Sequence, residues 1–410
     1  MPMETVIALC EASEAHGNGI LEVTNRGSLQ MRGLSTDSAP AFARTVASLG
    51  LGEHAGPPIL ASPLLGLATE EHPDLRPLLT DIRAQLSDPA LASIAPKVSV
   101  LIDCGGALHL DSVAGDVRLR VCTGNRWHLS IAGTAATAFN LGWLNPQRAP
   151  QAIFRTLLAI ARRGPTARAR DLANSTESRA LRPSLAGIIR DAAPPGLRPI
   201  AEPIGVHPLR DGRVAVGISL AFGRTHASLL KQLARDAMNL GAVSVETAPG
   251  RALLAIGLDI STVAEFTAAA AAAGFLVRQD DARRYVIACA GAPACRSGML
   301  STRELAPAIA EAARRFLDGS LTIHVSGCAK GCAHPGLAAL TLVGPDGLVV
   351  QGRAGDVLDG ALSADAFIEG VTRLSSARLR SPGTLERSAD LVSRLGKQGL
   401  LALMRGAPRA

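Results

Sequence analysis

The feature that most constrains this chain is an internal repeat. A shift of 224 residues lays "GLSTDSAPAFARTVASLGL" (33–51) on "GLDISTVAEFTAAAAAAGF" (257–275) without a gap. Gly33, Leu34, Phe42, Ala47 and Gly50 fall on Gly257, Leu258, Phe266, Ala271 and Gly274. The same shift carries Gly17 onto Gly241, Leu9 onto Leu233 and, in a looser match, Cys104 onto Cys328. Self-similarity at a fixed offset means one supersecondary unit used twice. Both copies read as helix, glycine stop, strand, turn, strand, helix. In the second copy a strand, "RVAVGISLAF" (213–222), precedes the first helix, and its counterpart would fall before Met1. The opening strand of the first half is therefore expected to be missing, or its place taken by another segment.

A chain of 410 residues with 47% hydrophobic and 19% charged residues is a multidomain globular protein. Its eleven aromatic residues leave few stacking platforms for nucleic acid, and its net charge of +7 favours acidic partners. No run approaches the ~18 apolar residues of a membrane span. Glu4, Glu11 and Glu14 give the start the wrong sign for a secretory signal. A cytoplasmic location with reduced thiols is expected, which makes clustered cysteines ligands rather than disulfides. Between the copies, residues 163–203 are rich in Pro, Arg and Ser and read as a surface connection rather than a nucleic-acid-binding tail.

Residues 20–34, "ILEVTNRGSLQMRGL", alternate as a half-buried strand: Thr24, Arg26, Ser28, Gln30 and Arg32 on one face, Leu21, Val23, Leu29 and Met31 on the other. In the second copy Gln30 and Arg32 become Leu254 and Ile256. One half thus keeps donors where its sibling is apolar. Arginine grips carboxylates in bidentate fashion. With Lys97, at the start of "KVSVLID", the row Arg26, Gln30, Arg32 and Lys97 suits a ligand bearing several carboxylates.

Four of the seven cysteines cluster. Cys289 and Cys295 are separated by five residues in "CAGAPAC", and Cys328 and Cys332 by three in "SGCAKGCAHPG". Unligated thiols, zinc and an iron–sulfur cluster all remain open at this point. A five-residue gap of Ala, Gly and Pro is long for a zinc knuckle, whereas small residues let backbone amides approach a bulky cluster. Ser301 and Glu304 are spaced as a capping box for a helix carrying Leu305, Ile309 and Phe316, and "LTIHVSG" reads as the strand that delivers Cys328. No glycine-rich dinucleotide fingerprint follows a strand.

The motifs "HGNGILEVTNRGSLQMRGL", "PKVSVLID", "VGISLAFGR", "CAGAPAC" and "HVSGCAKGCAHPG" resemble the sirohaem-dependent sulfite and nitrite reductases, and more closely their relatives, the precorrin-3B synthases of aerobic cobalamin biosynthesis. The resemblance implies an α+β fold of two ferredoxin-like pieces and two larger α/β pieces in a pseudo-twofold arrangement. The corresponding divisions are 1–57 for the first ferredoxin-like half, 58–162, a linker at 163–204, 205–280, and a cluster domain at 281–410. It implies that Cys289, Cys295, Cys328 and Cys332 hold a 4Fe–4S cluster. It also implies that Arg26, Gln30, Arg32 and Lys97 line a tetrapyrrole cavity. The reductases carry a Lys-x-Lys pair, but here Ser99 stands two positions after Lys97, and "AKG" replaces an Asn-containing sequence between the second cysteine pair. Both departures favour the synthases over the alternative, a sirohaem-dependent sulfite or nitrite reductase. The activity implied is an O2- and NADH-dependent monooxygenation of precorrin-3A, with lactone formation. It would use a mononuclear non-haem iron beside the cluster, and NADH would act directly or through a separate reductase. His324, His334, His128, His109 and Asp103 are the candidate ligands of that iron, with no catalytic residue singled out.

Overall fold

The structure, a computed structural model, describes residues 1–51, 56–71, 75–122, 126–174, 176–177, 181–378, 380–381 and 384–406. The first copy of the repeat opens with the helix Met3–His16, continues into a hairpin of β1 (Ile20–Val23) and β2 (Leu29–Met31), and ends in the helix Ala39–Ser48. A six-stranded sheet follows: β3 (Ile59–Ala61), β4 (Val100–Asp103), β5 (Gly115–Val121), β6 (Trp127–Gly133), β7 (Phe139–Leu144) and β8 (Ile189–Arg190). The second copy supplies β9 (Gly205–Pro208), β10 (Val214–Ser219), β11 (Arg224–His226), the helix Ala227–Asn239, β12 (Ser244–Ala248), β13 (Ala252–Leu258) and the helix Val263–Ala272. A second α/β sheet closes the order with β14 (Val286–Ala288), β15 (Ile323–Ser326), β16 (Ala338–Val343), β17 (Gly347–Gly352) and β18 (Gly360–Ala361).

The duplication is visible in the hydrogen bonding. β11 pairs with β1 so that His226 faces Ile20, and Pro2 makes the reciprocal bridge to Ser244. The shift of 224 carries Pro2 onto His226 and Ile20 onto Ser244, so each copy lends the residues ahead of its first helix to the other's hairpin. Those two first helices pack together through Met3, Val6, Cys10, Leu230, Leu233 and Ala237, all buried. β13 pairs with β10, but among the described residues β2 pairs only with β1. The expected opening strand is thus absent from that edge, and β11 adds to the opposite one. One consequence follows for packing. Phe266 is fully buried over the second sheet, whereas the helix Ala39–Ser48, without a strand beneath it, buries no residue. Full burial of such a side chain stabilises by about 1.5–3 kcal/mol.

Both larger sheets follow one plan. Their first three strands are parallel neighbours in sequence order, and the later ones antiparallel. Alternate residues Val100, Ile102, Val117 and Leu119 face the helices Arg76–Leu86 and Ala149–Ala161; Ile323, Val325, Leu340 and Leu342 face Thr302–Ala312 and Ala364–Ser376. Parallel strands present their carboxyl ends side by side, which is where open α/β sheets place ligands.

Two segments differ from their sequence reading. Residues 20–34 form a hairpin rather than one strand: Thr24 N–H donates to Ser28 O (2.9 Å), and Ser28 N–H to Thr24 Oγ1 (3.0 Å). Gly27 closes the turn at φ +81°, and a Cβ there would lie 2.9 Å from the Ala248 carbonyl carbon in the matching turn of the second copy. The pairing sets Glu22 opposite Gln30, so even-numbered residues stay on one face of both arms and mimic a continuous strand. Residues 163–203 are not simply a surface connection. Ala167, Ala169, Leu172, Leu181, Leu185 and Ile188 enter the first α/β core, and β8 extends its sheet. Arg168 chelates the buried Asp116 (2.9 and 2.8 Å), so this arginine is spent on an ion pair.

Candidate functional site

Cys289 and Cys328 leave the carboxyl ends of the parallel neighbours β14 and β15, which pair Ala288 with Val325. The loop after Cys289 folds back against the loop around Cys328. Met299 N–H donates to Gly327 O (2.8 Å), Cys295 N–H to Gly291 O (2.7 Å), and Lys330 Nζ to Ser297 Oγ (2.9 Å), which bridges the two cysteine loops. Cβ atoms built on Gly298 and on Gly327 would approach Gly291 backbone atoms to 2.7 and 3.2 Å, so side chains there would force the loops apart. Cys289, Cys295 and Cys328 are half-buried, Cys332 is exposed, and all are free thiols. Gly327 N–H already points at Cys289 Sγ (3.1 Å). Four thiols on two glycine-lined loops, with an amide aimed at sulfur, fit an iron–sulfur cluster. Ser301 caps the following helix by position only, without a side-chain bond. Thr302 instead donates to Cys289 O (2.7 Å) and ties the helix to the loop.

The polar row splits in two. Gln30 and Arg32 lie on the β11–β1–β2 face with Glu22. Arg32 donates to Glu22 Oε2 (2.8 Å) and to Gln30 Oε1 (2.8 Å), and Arg303 pairs with the other Glu22 oxygen. Arg224 stands directly across from Glu22 on β11. Burial lowers the pKa of both Arg224 and Arg303. Two guanidinium groups, those of Arg32 and Arg303, therefore hold one carboxylate, with Arg224 on the neighbouring strand and within the field of Glu304; Arg224 and Arg303 escape a sequence reading. Only "VGISLAFGR" pointed to Arg224, and nothing local marks Arg303. In the second copy the matching Leu254 and Ile256 are buried under Leu64, Leu108 and Leu209.

Arg26 lies in the hairpin turn, apart from that face, and donates to Ser99 Oγ (2.8 Å). Ser99 N–H in turn donates to Asp116 (3.1 Å). Ser99 is a buried tether between the hairpin and the first α/β sheet. Lys97 is exposed just before β4.

The histidines occupy three settings. His128 bonds Asn140 Oδ1 (2.7 Å) and packs edge-on to Trp143. Asp103, His109 and Asp111 bring ligand atoms within 4.8 Å of one another. However, Arg198 binds both carboxylates, Asp111 at 2.5 Å, and His109 Nε2 donates to Pro199 O (2.7 Å). Burial alone would raise the Asp111 pKa, but hydrogen bonds from Arg198 hold it down at about 2. A guanidinium thus stands where a metal cation would, and this trio does not fit an open metal site. His324 is buried on β15, and burial, with His334 and Arg251 nearby, lowers its pKa to about 4. Arg251 sits in the second hairpin turn at φ +62° and reaches Ala333 O (3.4 Å) beside Cys332.

Residues 2–49 match the nitrite/sulfite reductase ferredoxin-like half domain. The solved structure of Mycobacterium tuberculosis NirA superposes with a TM-score of 0.77 at 20% identity, covering 98% of this chain and 82% of that one. The fold is therefore that of the nitrite and sulfite reductases. A ferredoxin–nitrite reductase of Synechococcus elongatus is 24% identical over 388 residues, 85% of this chain and 75% of that protein. A precorrin-3B synthase from Sinorhizobium sp is 36% identical over 403 residues, 97% of this chain and 87% of that protein. The chain belongs to the precorrin-3B synthase family. Among the described residues, no helix is long and apolar enough to cross a membrane.

Proposed function

We propose that this protein is an oxidoreductase that converts precorrin-3A to precorrin-3B. One atom of O2 enters the macrocycle next to ring A while an acetate arm closes a lactone. The other atom leaves as water, with two electrons drawn from NADH directly or through a reductase. The observation that carries the reading is the family-length match to a precorrin-3B synthase in a chain whose two cysteine loops meet at one sheet end. In this reading Cys289, Cys295, Cys328 and Cys332 hold a 4Fe–4S cluster, which supplies single electrons. The chain's own residues bind and orient. Arg32 and Gln30, with Arg224 and Arg303 beside them, receive carboxylate arms as Glu22 gives up its contacts, and Lys97 meets an arm from the first α/β unit. Arg26, through Ser99 and Asp116, holds the hairpin in register with that unit. The unit boundaries near 57, 162, 204 and 280 belong to the same proposal.

The buried, hydrogen-bonded Ser99 disfavours the sirohaem reductase alternative, which needs a cation there to meet a small oxyanion. The test is anaerobic purification, then incubation with precorrin-3A, O2 and a reducing system. The expected product is heavier by one oxygen atom and carries label from oxygen-18 gas. Unchanged substrate with an intact cluster overturns the proposal, and so does sulfite or nitrite reduction by a sirohaem-containing preparation.

A further inference from the structure

The open face of the first hairpin already holds a carboxylate of its own. Glu22 on β1 stands between Gln30 on β2 and Arg224 on β11, one rung across three strands. Arg32, just past β2, donates to its Oε2 (2.8 Å), and Arg303 reaches its Oε1 from the first turn of the helix Thr302–Ala312. Only 13% of the Glu22 side chain and 10% of the Arg303 side chain are exposed, so this is no loose surface pair. Arg32 is the accessible member, with 41% of its side chain in solvent.

The second copy shows which part of the arrangement has been added. The shift of 224 places Glu246 at the position of Glu22, opposite Leu254 as Glu22 is opposite Gln30. Among the described residues Glu246 pairs with no arginine, and its ion pair is with the amine of Met1 (3.8 Å). Both copies therefore keep the carboxylate, and the first has gathered guanidinium groups around it. Neutralising one carboxylate takes one cation, and Arg32 and Arg303 already supply two. Arg224 stands beside them half-buried, with no ion pair or side-chain hydrogen bond among the described residues and only the field of the exposed Glu304 to steady it. Burial disfavours a cation without a partner. An unpaired guanidinium next to a filled clamp is a place for a second anion.

We propose that Glu22 is a specificity-determining residue, an internal carboxylate that fills the Arg32–Arg303 clamp against small anions and yields to a ligand presenting two or more neighbouring carboxylates. A small anion reaches Arg224 alone, because entering the clamp would trade one carboxylate partner for another at no gain. A ring with several carboxylate arms meets Arg224 and the clamp together, and the contact at Arg224 offsets the displacement of Glu22. The exchange at Arg32 keeps the same kind of charge-assisted bond. Rejection by a repulsive group is how a site separates ligands that share one binding chemistry. The assignment rests on the proposed tetrapyrrole-binding face for the nature of the ligand, and makes that face selective rather than merely basic.

The probes are uroporphyrin III, a stable tetrapyrrole with a carboxylate on every arm, and sulfate. The full chain is reconstituted with iron and sulfide, and binding is followed by calorimetry at constant ionic strength. Glu22→Gln leaves a neutral acceptor for both arginines and is expected to bind uroporphyrin about tenfold more tightly than the wild type. Sulfate is expected to compete for the ring at least about fivefold better in that variant. Glu22→Asp, which keeps the charge but shortens its reach, is expected to fall between the two. Glu304→Gln removes a charge from the same face without touching the clamp, and is expected to change either affinity by less than about twofold. Arg224→Gln is expected to weaken uroporphyrin binding about tenfold. Weaker or unchanged ring binding in folded Glu22→Gln overturns the proposal, since Glu22 then only holds the arginines in place. So does equal sulfate competition in variant and wild type, an equal gain from Glu304→Gln, or unchanged binding in Arg224→Gln. If Glu22→Gln does not fold, Glu22→Asp decides by the same criteria. No ring binding by wild type or any variant overturns both the role of Glu22 and the binding face. The expected pattern in protein that leaves precorrin-3A unchanged overturns the proposed reaction and spares Glu22.

Discussion

The two halves of this molecule began as one unit, and their sheet ends now differ where chemistry is expected. In the second half the carboxyl ends of β14 and β15 lead into glycine-lined loops with four half-buried or exposed thiols. In the first half the same place is closed. Cys104, the counterpart of Cys328, is buried, its thiol pushed up to about 12 by burial, and Asp103 beside it is locked to Arg198. The hairpins diverge in the opposite sense. The second is sealed, with Leu254 and Ile256 packed under loops of the first α/β unit; the first stays open and carries Glu22, Gln30 and Arg32. Each half has thus kept one place open and filled in the other. The open hairpin of one and the open sheet end of the other meet at Glu22 and Arg303, one residue beyond the Thr302 that ties Cys289.

The sharpest way to break this comparison is to remove matching cysteines. Cys328→Ala is expected to lose the cluster entirely, read as visible absorption and bound iron and sulfide. Cys104→Ala is expected to keep it and cost about 1 kcal/mol of stability from the small void it leaves. A cluster retained in the first variant would remove the assignment of the four ligands.

Next in size is the lock of the first half. Arg198→Met leaves Asp103 and Asp111 buried without their shared cation, which costs about 3–5 kcal/mol. Urea unfolding measures it. The same variant changes the acid limb. Asp111, held at about 2 in the fold, contributes stability that is present above its ordinary value and lost as pH falls through about 2. Without Arg198 that contribution is absent at every pH and burial alone raises the Asp111 pKa, so the cost of the variant is expected to be largest above about pH 4 and to shrink as pH falls toward 2.

The open and sealed hairpins are separated by a third pair. Arg32→Leu is expected to weaken precorrin binding by about 1.5–3 kcal/mol, roughly tenfold or more in Kd, with the cluster spectrum unchanged. Leu254→Gln, at the position that matches Gln30 in the sealed hairpin, is expected to leave binding contacts alone and destabilise the fold by about 2–4 kcal/mol, because it buries an amide without partners. If both substitutions act only on stability, the open face is not a binding face.

What the sequence disclosed, and what it withheld, follows from range. The repeat, the cysteine pairs and the amphipathic strands are local patterns, and period and spacing reveal them directly. The alternation through 20–34 was misleading because the turn at 24–28 preserves parity, so a hairpin reads like one strand. The capping box at Ser301 and Glu304 had the right spacing, but the hydroxyl that bonds the loop belongs to Thr302. Arg303 on Glu22 and Arg198 on Asp103 join residues far apart in the chain, and no periodicity announces such a pair.

The smallest predicted effect probes the closed end of the first sheet. Glu71 is almost fully buried near Cys104; Gly66 N–H donates to its Oε2 (3.1 Å), and its Oε1 has no partner. Burial pushes its carboxyl up to about 7 from an ordinary 4.5. An acid whose pKa is raised by folding holds its proton more tightly in the native state. Its contribution is therefore most favourable below about pH 4.5 and declines as pH rises toward 7, above which it is constant. Glu71→Gln keeps an acceptor for Gly66 and removes the charge. Its melting temperature is expected to exceed that of the wild type at pH 8 and to match it near pH 5, a difference of a few degrees at most. Equal melting temperatures at both pH values would mean that the carboxylate finds a partner or solvent at the closed end, and that this end is less sealed than its counterpart is open.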